Sequence, residues 1–510
     1  MLSSDLKTKI NKLWDLFWSG GMANPLTALE QISYLLFMRR AEDVGLVDEE
    51  MHKWSFYTKQ NIDLPTHMKE VFEYLKTEKL RNDSFAKAMD GSSFEIIKPS
   101  LLMAAVELVD QIYAEADRER NEGQYFQDTL GDFYELILSE TGEAGKNGQF
   151  RTPRHIIQLM CELIKPTIED TVCDVTSGTS GFLVGAYQYI IKQNSDEEAQ
   201  IDENGFEKRN SGNLIEQGSK AEEKLTKNTF YGYDIDPTMI RLGMMNLLMH
   251  NIKEPKISRI DTISQEFDVL GKNIKFSKIL ANPPFTGKID SLRASLSLDR
   301  VYEPKFDRDN NRVKQNIQSE LLFLERIVQL LKINGQAAVI VPEGVLFGGG
   351  NAFKKVREIL LKDCEFEAVI SLPSGAFKPY TGVKTSIIIF TKKANRSKKK
   401  WFTKKVWFYE LINDGYSLDD NRKKLAENPL PLAVDLYVNR FSNISVDRKT
   451  HFFVDIEEIK KNNLDLSYNR YSEFIYEEKI YNSPKEIFNT LSALEEEIKV
   501  EMSELKNLIG

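Results

Sequence analysis

The sequence predicts an α/β protein in which a mainly parallel sheet follows a helical N-terminal domain and precedes a helical C-terminal tail. Three observations support this fold class. Residues 1–147 show helical periodicity, residues 148–440 alternate short apolar runs with helical segments, and residues 441–510 end in a heptad pattern. With 510 residues, 41% of them hydrophobic and 28% charged, the composition is that of a folded protein of two or three domains and not of a disordered one.

The N-terminal domain is predicted from apolar residues that recur every three or four positions. Leu29, Ile32 and Leu35 follow this spacing, and a charged stretch ends their segment. The pattern is typical of an amphipathic helix packed in a bundle. It returns in residues 101–112 and 133–138. We expect this domain to carry no chemistry of its own.

The sheet domain is predicted from apolar runs that are separated by helical segments. These runs are residues 171–175, 229–234, 256–261, 277–282, 336–342, 367–373 and 385–391. Near-continuous apolar strands separated by helices are typical of a parallel sheet with both faces covered. A ligand is therefore expected at the carboxyl ends of the strands, where the strand order reverses. Residues 193–228 contain few large apolar side chains and are predicted to form a surface excursion.

The first four of these strands each end in residues suited to binding a ligand. The glycine- and hydroxyl-rich loop 174–182 follows the first, Asp234 and Asp261 end the second and third, and Asn282-Pro283-Pro284-Phe285 ends the fourth. Because two prolines cannot continue a strand ladder, the chain must turn there and direct the asparagine and nearby carbonyls out of the sheet edge. Each motif alone also fits an ordinary turn or helix cap. Four in succession predict a single binding site.

Long ordered stretches of the chain resemble a known family. They are LGDFYELILSE (130–140), GQFRTPRHIIQLM (148–160), the DVTSGTSGFLV loop, GYDIDPTMIRLGMMNLLMHNI (232–252), LANPPF (280–285), SELLFLERIVQLLKINGQAAVIVPEGVLF (319–347), VISLPSGAFKPYTGVKTSIIIFTK (369–392), NDGYSLDDNR (413–422) and LDLSYNRY (464–471). Together they cover nearly the whole chain. The sequence resembles the N6-adenine DNA methyltransferases, and in particular the modification (M) subunit of type I restriction-modification systems.

The resemblance implies a Rossmann-like class I S-adenosylmethionine-dependent methyltransferase domain over residues 148–440. It implies transfer of a methyl group from S-adenosylmethionine to the N6 of a flipped-out adenine at a specific DNA site. The residues implied to bind the cofactor are Gln149, Phe150, Thr152 and Pro153 at its methionine end, Asp174, Ser177, Gly178, Thr179, Gly181 and Phe182 in the loop, Asp234 at the ribose and Asp261 at the adenine. The implied catalytic residues are Asn282, Pro283, Pro284 and Phe285, with Asn282 and the Pro283 carbonyl accepting the target amino protons and Phe285 stacking on the base.

The sequence departs from the usual family pattern in the cofactor region. Val175, Ser177 and Ser180 stand in the loop where proline, cysteine or alanine, and glycine are common, and Arg151 stands where an aromatic residue is common. Both places border the implied cofactor pocket. We therefore expect weak cofactor binding by the isolated subunit.

The C-terminal extension, residues 441–510, is predicted to end in a helix over residues 484–509. Ser483, Pro484 and Glu486 form a capping-box start. Apolar residues then follow at alternating spacings of four and three: Ile487, Leu491, Leu494, Ile498, Leu505 and Leu508. This stripe fits a fold back onto its own domain and a partner helix equally well. The resemblance implies two M subunits around one specificity (S) subunit on double-stranded DNA, optionally joined by a restriction (R) subunit, and we take the stripe as part of the S contact.

Several other classes of protein are disfavoured by the composition. Cys161, Cys173 and Cys364 form no CxxC pair, the five histidines form no HExxH motif, and no GxxxxGK[ST] loop occurs. A disulfide framework, a metal site and a phosphate-loop ATPase are therefore not expected. No signal peptide or membrane span is predicted, so a cytoplasmic location is expected. Three alternatives remain: a stand-alone adenine methyltransferase, a protein or RNA methyltransferase that uses NPPF, and a non-enzymatic scaffold.

The acidic total also conceals a basic interval. The chain has 68 basic and 77 acidic residues, yet residues 368–409 contain ten lysines and arginines and no acid. A charge run is usually a solvated loop. In a DNA methyltransferase we predict that this run, and KKANRSKKK (392–400) in particular, contacts phosphates.

Overall fold

The computed structural model describes residues 4–22, 24–43, 45–60, 62–79, 84–121, 152–270, 274–394, 400–442, 448–473 and 484–509. The chain divides into two compact units, Met1–Tyr471 and Ser472–Gly510. The predicted boundary at residue 147 and the predicted helical segment 133–138 lie outside the described residues.

The N-terminal part of the first unit is helical, as the periodicity predicts. In the described part of residues 4–121 the α-helices are α1 (Ser4–Ser19), α2 (Pro25–Asp43), α3 (Trp54–Tyr57), α4 (Leu64–Tyr74), α5 (Ser84–Ala88) and α6 (Pro99–Asn121). Helix α2 is not simply amphipathic, because residues 31–38 are all buried. A helix buried on every side has to be surrounded by other elements. Here α2 packs against α1, α3 and α6 and against a helix of the sheet domain.

A nine-stranded sheet forms the core of the first unit. In spatial order its strands are β13 (His451–Asp455), β12 (Lys405–Glu410), β10 (Cys364–Ser371), β11 (Thr385–Lys392), β9 (Leu331–Pro342), β6 (Phe276–Ala281), β1 (Val172–Asp174), β4 (Phe230–Asp234) and β5 (Lys256–Arg259). The block β5-β4-β1-β6-β9 is parallel, and β12 is parallel to β10. β11 and β13 run antiparallel to their neighbours. The mainly parallel sheet predicted from the apolar runs is confirmed.

Helices cover both faces of the sheet. One face packs against α7 (Arg154–Ile164), α8 (Gly181–Gln193) and α10 (Pro237–Met249), and the other against α12 (Ser319–Leu330) and α14 (Asn351–Asp363). Shorter helices connect these elements: α9 (Lys220–Lys227), α11 (Gln265–Leu270), α13 (Glu343–Phe347), α15 (Leu430–Val438) and α16 (Ile456–Lys461). Successive strand residues alternate between the two buried clusters, as Ile279 and Leu280 do in β6.

The N-terminal helices close one edge of the sheet. Helix α5 packs against the edge strand β5, and α2 packs against α10. Two polar contacts join the same parts: Arg40 donates to Asn251 Oδ1 at 2.6 Å, and Arg241 pairs with Glu30 at 2.5 Å. Because an uncovered edge strand is a site for unwanted strand pairing, this cover protects the sheet.

Two hairpins extend the fold beyond the predicted runs. β2 (Gln200–Ile201) and β3 (Glu207–Lys208) lie in the predicted surface excursion, and β7 (Lys288–Asp290) pairs with β8 (Asn316–Gln318) after the NPPF motif. β12 and β13 were not among the predicted strands. Since β13 completes the sheet, the sheet domain extends past the predicted boundary at residue 440.

The basic interval reaches both edges of the sheet, because it contains the whole of β11. β11 runs antiparallel and carries the chain from the carboxyl edge of the parallel strands to the opposite edge. An eight-residue strand is about 26 Å long, so residues 392–394 and 400–405 lie far from Asn282. There Lys392 donates to the Leu331 carbonyl at 3.0 Å and Lys393 pairs with Glu365 at 2.9 Å. Residues 395–399 lie outside the described part, and the phosphate contact predicted for this interval stays a prediction.

The second unit contains one described helix, α17 (Pro484–Ile509). The predicted cap residue Ser483 lies outside the described residues. Leu491, Leu494 and Ile498 of the heptad stripe are 60%, 49% and 59% exposed. None of the described helices combines the length and the apolar character that crossing a membrane requires.

Candidate functional site

The carboxyl edge of the parallel strands gathers the predicted site residues. Asp174 and Asp234 are the last residues of β1 and β4, Asp261 follows β5 by two residues, and Asn282 directly follows β6. The strand order reverses at β1, with β4 and β5 on one side and β6 and β9 on the other. In open α/β sheets, this reversal point is where ligands bind.

The loop after β1 turns through two left-handed residues before α8 begins. Gly178 has φ of 48° and Ser180 has φ of 64°. The amide of Thr176 donates to Asp174 Oδ1 at 3.0 Å, and the Ser177 amide donates to the Tyr233 carbonyl at 2.8 Å. These bonds hold the loop against the neighbouring strand β4.

Asp234 joins this loop to the end of β4. Its Oδ2 accepts from the Gly178 amide at 2.9 Å and its Oδ1 accepts from the Asp236 amide at 3.0 Å. Each carboxylate oxygen keeps a further lone pair that can accept a ligand hydroxyl. Asp261 has a comparable arrangement, because its Oδ1 accepts from the Ile263 amide at 3.1 Å.

Burial changes the acidity of two of these carboxyl groups. Asp174 is 1% exposed, and burial, reinforced by the charge of Asp234, raises its pKa to about 8. Burial also raises the pKa of Asp261. A cationic ligand would favour the ionised form of either group.

The helix α10 lies directly beneath the loop at Gly243. A Cβ at this position would be 2.6 Å from Ser180 Oγ and 2.9 Å from the Gly178 carbonyl oxygen. Both distances are shorter than van der Waals contact. Only glycine therefore allows helix and loop to approach this closely.

We predict that Gly243→Ala lowers the free energy of unfolding by about 1–3 kcal/mol because the added methyl group displaces the loop. In an unobstructed helix the same change would stabilise by about 1 kcal/mol. Urea denaturation of the variant measures the effect. The matched control is Gly344→Ala in α13, where no atom lies within 4 Å of the added Cβ. Equal stabilities of the two variants would contradict the packing argument.

The NPPF motif presents one unpaired polar atom. Asn282 Nδ2 donates to Thr152 Oγ1 at 2.9 Å, whereas Asn282 Oδ1 is buried and no described residue donates to it. Pro283 is buried and Pro284 is exposed. Phe285 is 7% exposed and meets Phe377 edge-on, with ring centroids 5.8 Å apart.

The remaining predicted residues take varied positions. Gln149 and Phe150, with Arg151, lie outside the described residues. Pro153 precedes α7, Gly181 begins α8, and the Thr179 carbonyl accepts from Asn246 Nδ2 at 2.9 Å. Phe182 is 4% exposed in the hydrophobic core, so its ring packs in the core.

A buried polar cluster beside the site was not predicted. Asp414 Oδ2 lies 2.8 Å from His155 Nε2 and also accepts from Arg422. Burial raises the pKa of Asp414, but the hydrogen bonds and charges of His155 and Arg422 outweigh burial and hold that pKa below its usual value. Arg422 also donates to the Gly375 carbonyl at 3.2 Å, close in sequence to Phe377. Asp414 and Arg422 both lie in NDGYSLDDNR (413–422), one of the stretches that carry the family resemblance, and that stretch was the only signal in the sequence that pointed to this cluster.

The strand order and the loops at its reversal point define a class I, Rossmann-like methyltransferase fold. The family model "N-6 DNA Methylase" matches residues 126–479, and the model "HsdM N-terminal domain" matches residues 6–109. The chain therefore belongs to the N-6 DNA methylase family and is a DNA methyltransferase of the N6-adenine class.

Individual relatives agree with this assignment. The chain is 26% identical over 416 residues to the type I restriction enzyme EcoEI methylase subunit of Escherichia coli, covering 81% of this chain and 74% of that one. A chain from a structural study of complex assembly and conformational transition of the type I R-M system has a TM-score of 0.64 at 24% identity, covering 99% of this chain and 98% of that one. The modification subunit of a type I restriction enzyme from Vibrio vulnificus has a TM-score of 0.62 at 20% identity, covering 90% and 94%. The two structures show the similarity of fold.

Proposed function

We propose that this chain is the modification subunit of a type I restriction-modification system. It transfers a methyl group from S-adenosylmethionine to the N6 of a flipped-out adenine in duplex DNA. The observation that carries this proposal is the buried, unpaired Asn282 Oδ1 at the carboxyl end of β6, next to the β1 and β4 loops. An acceptor in that position suits an amino group as substrate.

The loops at β1 and β4 fit the cofactor. A Cβ on Gly178 would meet no atom within 4 Å, so the backbone there borders open space, and Ser177 Oγ is buried without a partner in the described part. Asp234 would hold the ribose hydroxyls and Asp261 the adenine amino group. Thr152 and Pro153, with Gln149 and Phe150, would border the methionine end. When bound, S-adenosylmethionine supplies a methyl group already activated by a positively charged sulfonium.

The chain's own residues supply orientation and hydrogen-bond acceptors. The lone pair of adenine N6 is delocalised into the ring, so the nitrogen is a poor nucleophile. Asn282 Oδ1 and the Pro283 carbonyl, accepting its two protons, favour a pyramidal nitrogen whose lone pair is directed at the methyl group. Fixed acceptors of this kind need no reorganisation during the reaction.

The target base has to leave the duplex to reach these acceptors, because N6 lies inside the paired helix. Enzymes that modify bases extrude the nucleotide into a pocket and hold it by stacking and by hydrogen bonds to its edge. Phe285 is the residue proposed to stack. Its ring follows Asn282 by three positions and is supported by Phe377.

Transfer of radiolabelled methyl groups tests the reaction. The full chain, purified with its specificity subunit, should label duplex DNA on adenine N6. Label in protein or RNA would favour the alternative methyltransferases, and no label in any substrate would favour a scaffold. In cells, sequencing should detect N6-methyladenine only when the chain and the specificity subunit are both expressed. Methylation without that subunit would favour a stand-alone enzyme.

We predict that S-adenosylmethionine binds more tightly as pH rises from about 6 to about 8. In the free protein the pKa of Asp174 is raised to about 8, so the group is largely protonated below that pH. A positively charged cofactor favours the carboxylate, and binding then releases a proton. Above about pH 8 the dependence should level off, because the group is already ionised.

Calorimetry at several pH values, in buffers of different ionisation enthalpy, measures both the affinity and the proton release. The control is Asp174→Asn, which keeps the shape and cannot ionise. The cofactor's own amino group titrates equally with both proteins, so the difference between them reports Asp174. Parallel pH profiles of the two proteins would contradict the prediction.

The proposed partnership with a specificity subunit rests on the relatives and on α17. The EcoEI relative is described as a type I methylase subunit. In this chain α17 exposes Phe488, Leu491, Leu494 and Ile498 along its length. Apolar side chains at heptad spacing form a seam that a partner helix can bury. We propose that this seam contacts the S subunit in an assembly of two M subunits and one S subunit, to which an R subunit can add.

A further inference from the structure

The side-chain amide of Asn282 has one productive orientation. Its oxygen can accept a proton from a target amino group, whereas its NH₂ group can only donate. Turned the other way, the NH₂ group would oppose the two N–H donors of the adenine. The reaction therefore needs something that fixes which end of the amide faces the base.

The structure shows such a contact on the side away from the free oxygen. Asn282 Nδ2 donates to Thr152 Oγ1 at 2.9 Å, and Thr152 is 8% exposed. Asn282 Oδ1 is buried and has no donor among the described residues. With its nitrogen engaged, the amide presents its oxygen to the pocket.

The segment that carries Thr152 is held by one other segment, residues 414–422. Thr152 lies two residues before α7, and His155 in the first turn of α7 is bound to the buried Asp414 at 2.8 Å. The Tyr416 ring stacks on His155 with centroids 4.6 Å apart, and Arg422 pairs with Asp414. The start of α7 is thus fixed by protein contacts and does not depend on a bound cofactor.

We infer that Thr152 is a positioning residue for methyl transfer: its hydroxyl holds the amide of Asn282 with the oxygen toward the target amino group. This role differs from lining the methionine end of the cofactor. The Asp414–His155 contact holds the segment that carries Thr152. The inference rests on the proposed function, because it presumes that an adenine amino group is the substrate.

The test compares Thr152→Val with Thr152→Ser in the full chain purified with its specificity subunit. Valine matches the shape of threonine and removes the hydroxyl, whereas serine keeps the hydroxyl and loses only the methyl group. We expect kcat for adenine methylation to fall about 10- to 100-fold with valine and to return to within about threefold of the wild type with serine. The Kd of target DNA should change less than twofold in both, and the calorimetric Kd of S-adenosylmethionine should change much less than kcat, because valine keeps the side-chain shape at the methionine end.

Each result decides the question. A kcat unchanged by valine, or one that falls only together with cofactor affinity, overturns the positioning role. So does a serine variant as slow as the valine variant, because the hydroxyl would then not be the group that matters. If the valine variant does not fold, the serine variant and Thr152→Ala provide the same comparison. A wild-type complex that methylates no adenine refutes the proposed function itself, whereas a wild-type complex that is active together with a fully active valine variant refutes only this inference.

Discussion

Replacing Asn282 with alanine is expected to lower the rate of adenine methylation by about three orders of magnitude and to leave the Kd of S-adenosylmethionine within about twofold. The change removes a buried acceptor that has no protein partner in the described residues. Loss of a single preorganised hydrogen-bonding group at a reacting atom typically costs about 10²- to 10³-fold in rate. Alanine has no side-chain acceptor, so the variant would also fail to orient the target amino group.

Single-turnover methylation of a duplex that contains the target site measures this effect. Asn316→Ala is the matched control, because Asn316 is an exposed asparagine of β8, which follows the NPPF motif in the chain. It should methylate at the wild-type rate. An alanine variant at position 282 that methylates as fast as the wild type would refute the catalytic role of Asn282.

Deleting residues 484–510 is expected to abolish co-purification with the specificity subunit. The deletion removes the exposed seam of α17 and lies entirely within the second compact unit. Burying several large apolar side chains contributes about 1.5–3 kcal/mol each, so losing the seam should weaken the complex by several orders of magnitude. The remaining chain should keep its melting temperature and its cofactor affinity.

Point variants separate the seam from the helix as a whole. Replacing Leu491, Leu494 and Ile498 together with serine should reproduce the deletion, whereas replacing the exposed Glu495, Glu496 and Lys499 with alanine should retain the complex. Both are measured by affinity capture on a tagged specificity subunit. A complex that survives the deletion would show that the S contact lies elsewhere.

Features that depend on neighbouring residues in the chain could be predicted from the sequence. The apolar runs produced strands, and the acids and the NPPF motif came to the carboxyl edge because each ends its own strand or directly follows it. Asp261 is a slight exception, since β5 ends at Arg259. The excursion after α8 was equally visible, because a polar stretch cannot form a core.

Features that depend on residues distant in the chain could not be predicted. The contact between Thr152 and Asn282 joins positions 130 residues apart, and that between His155 and Asp414 joins positions 259 apart. No local pattern encodes such pairs. The position of the basic interval in the fold could not be predicted for a related reason, because composition gives the charge of a segment but not the direction of the strand within it. Burial of α2 on every side likewise needed the sheet domain as a neighbour.

The bridge from Asp234 to the Gly178 amide also bears on how a ligand would bind. Because protein groups already hold this loop in its final turn, a cofactor entering it would not have to order the chain. Its association should then show only a small loss of conformational entropy, and the residues that depart from the family pattern, Val175, Ser177 and Ser180, would act by changing individual contacts and not by loosening the loop. Weak binding by the isolated subunit would appear as a less favourable enthalpy.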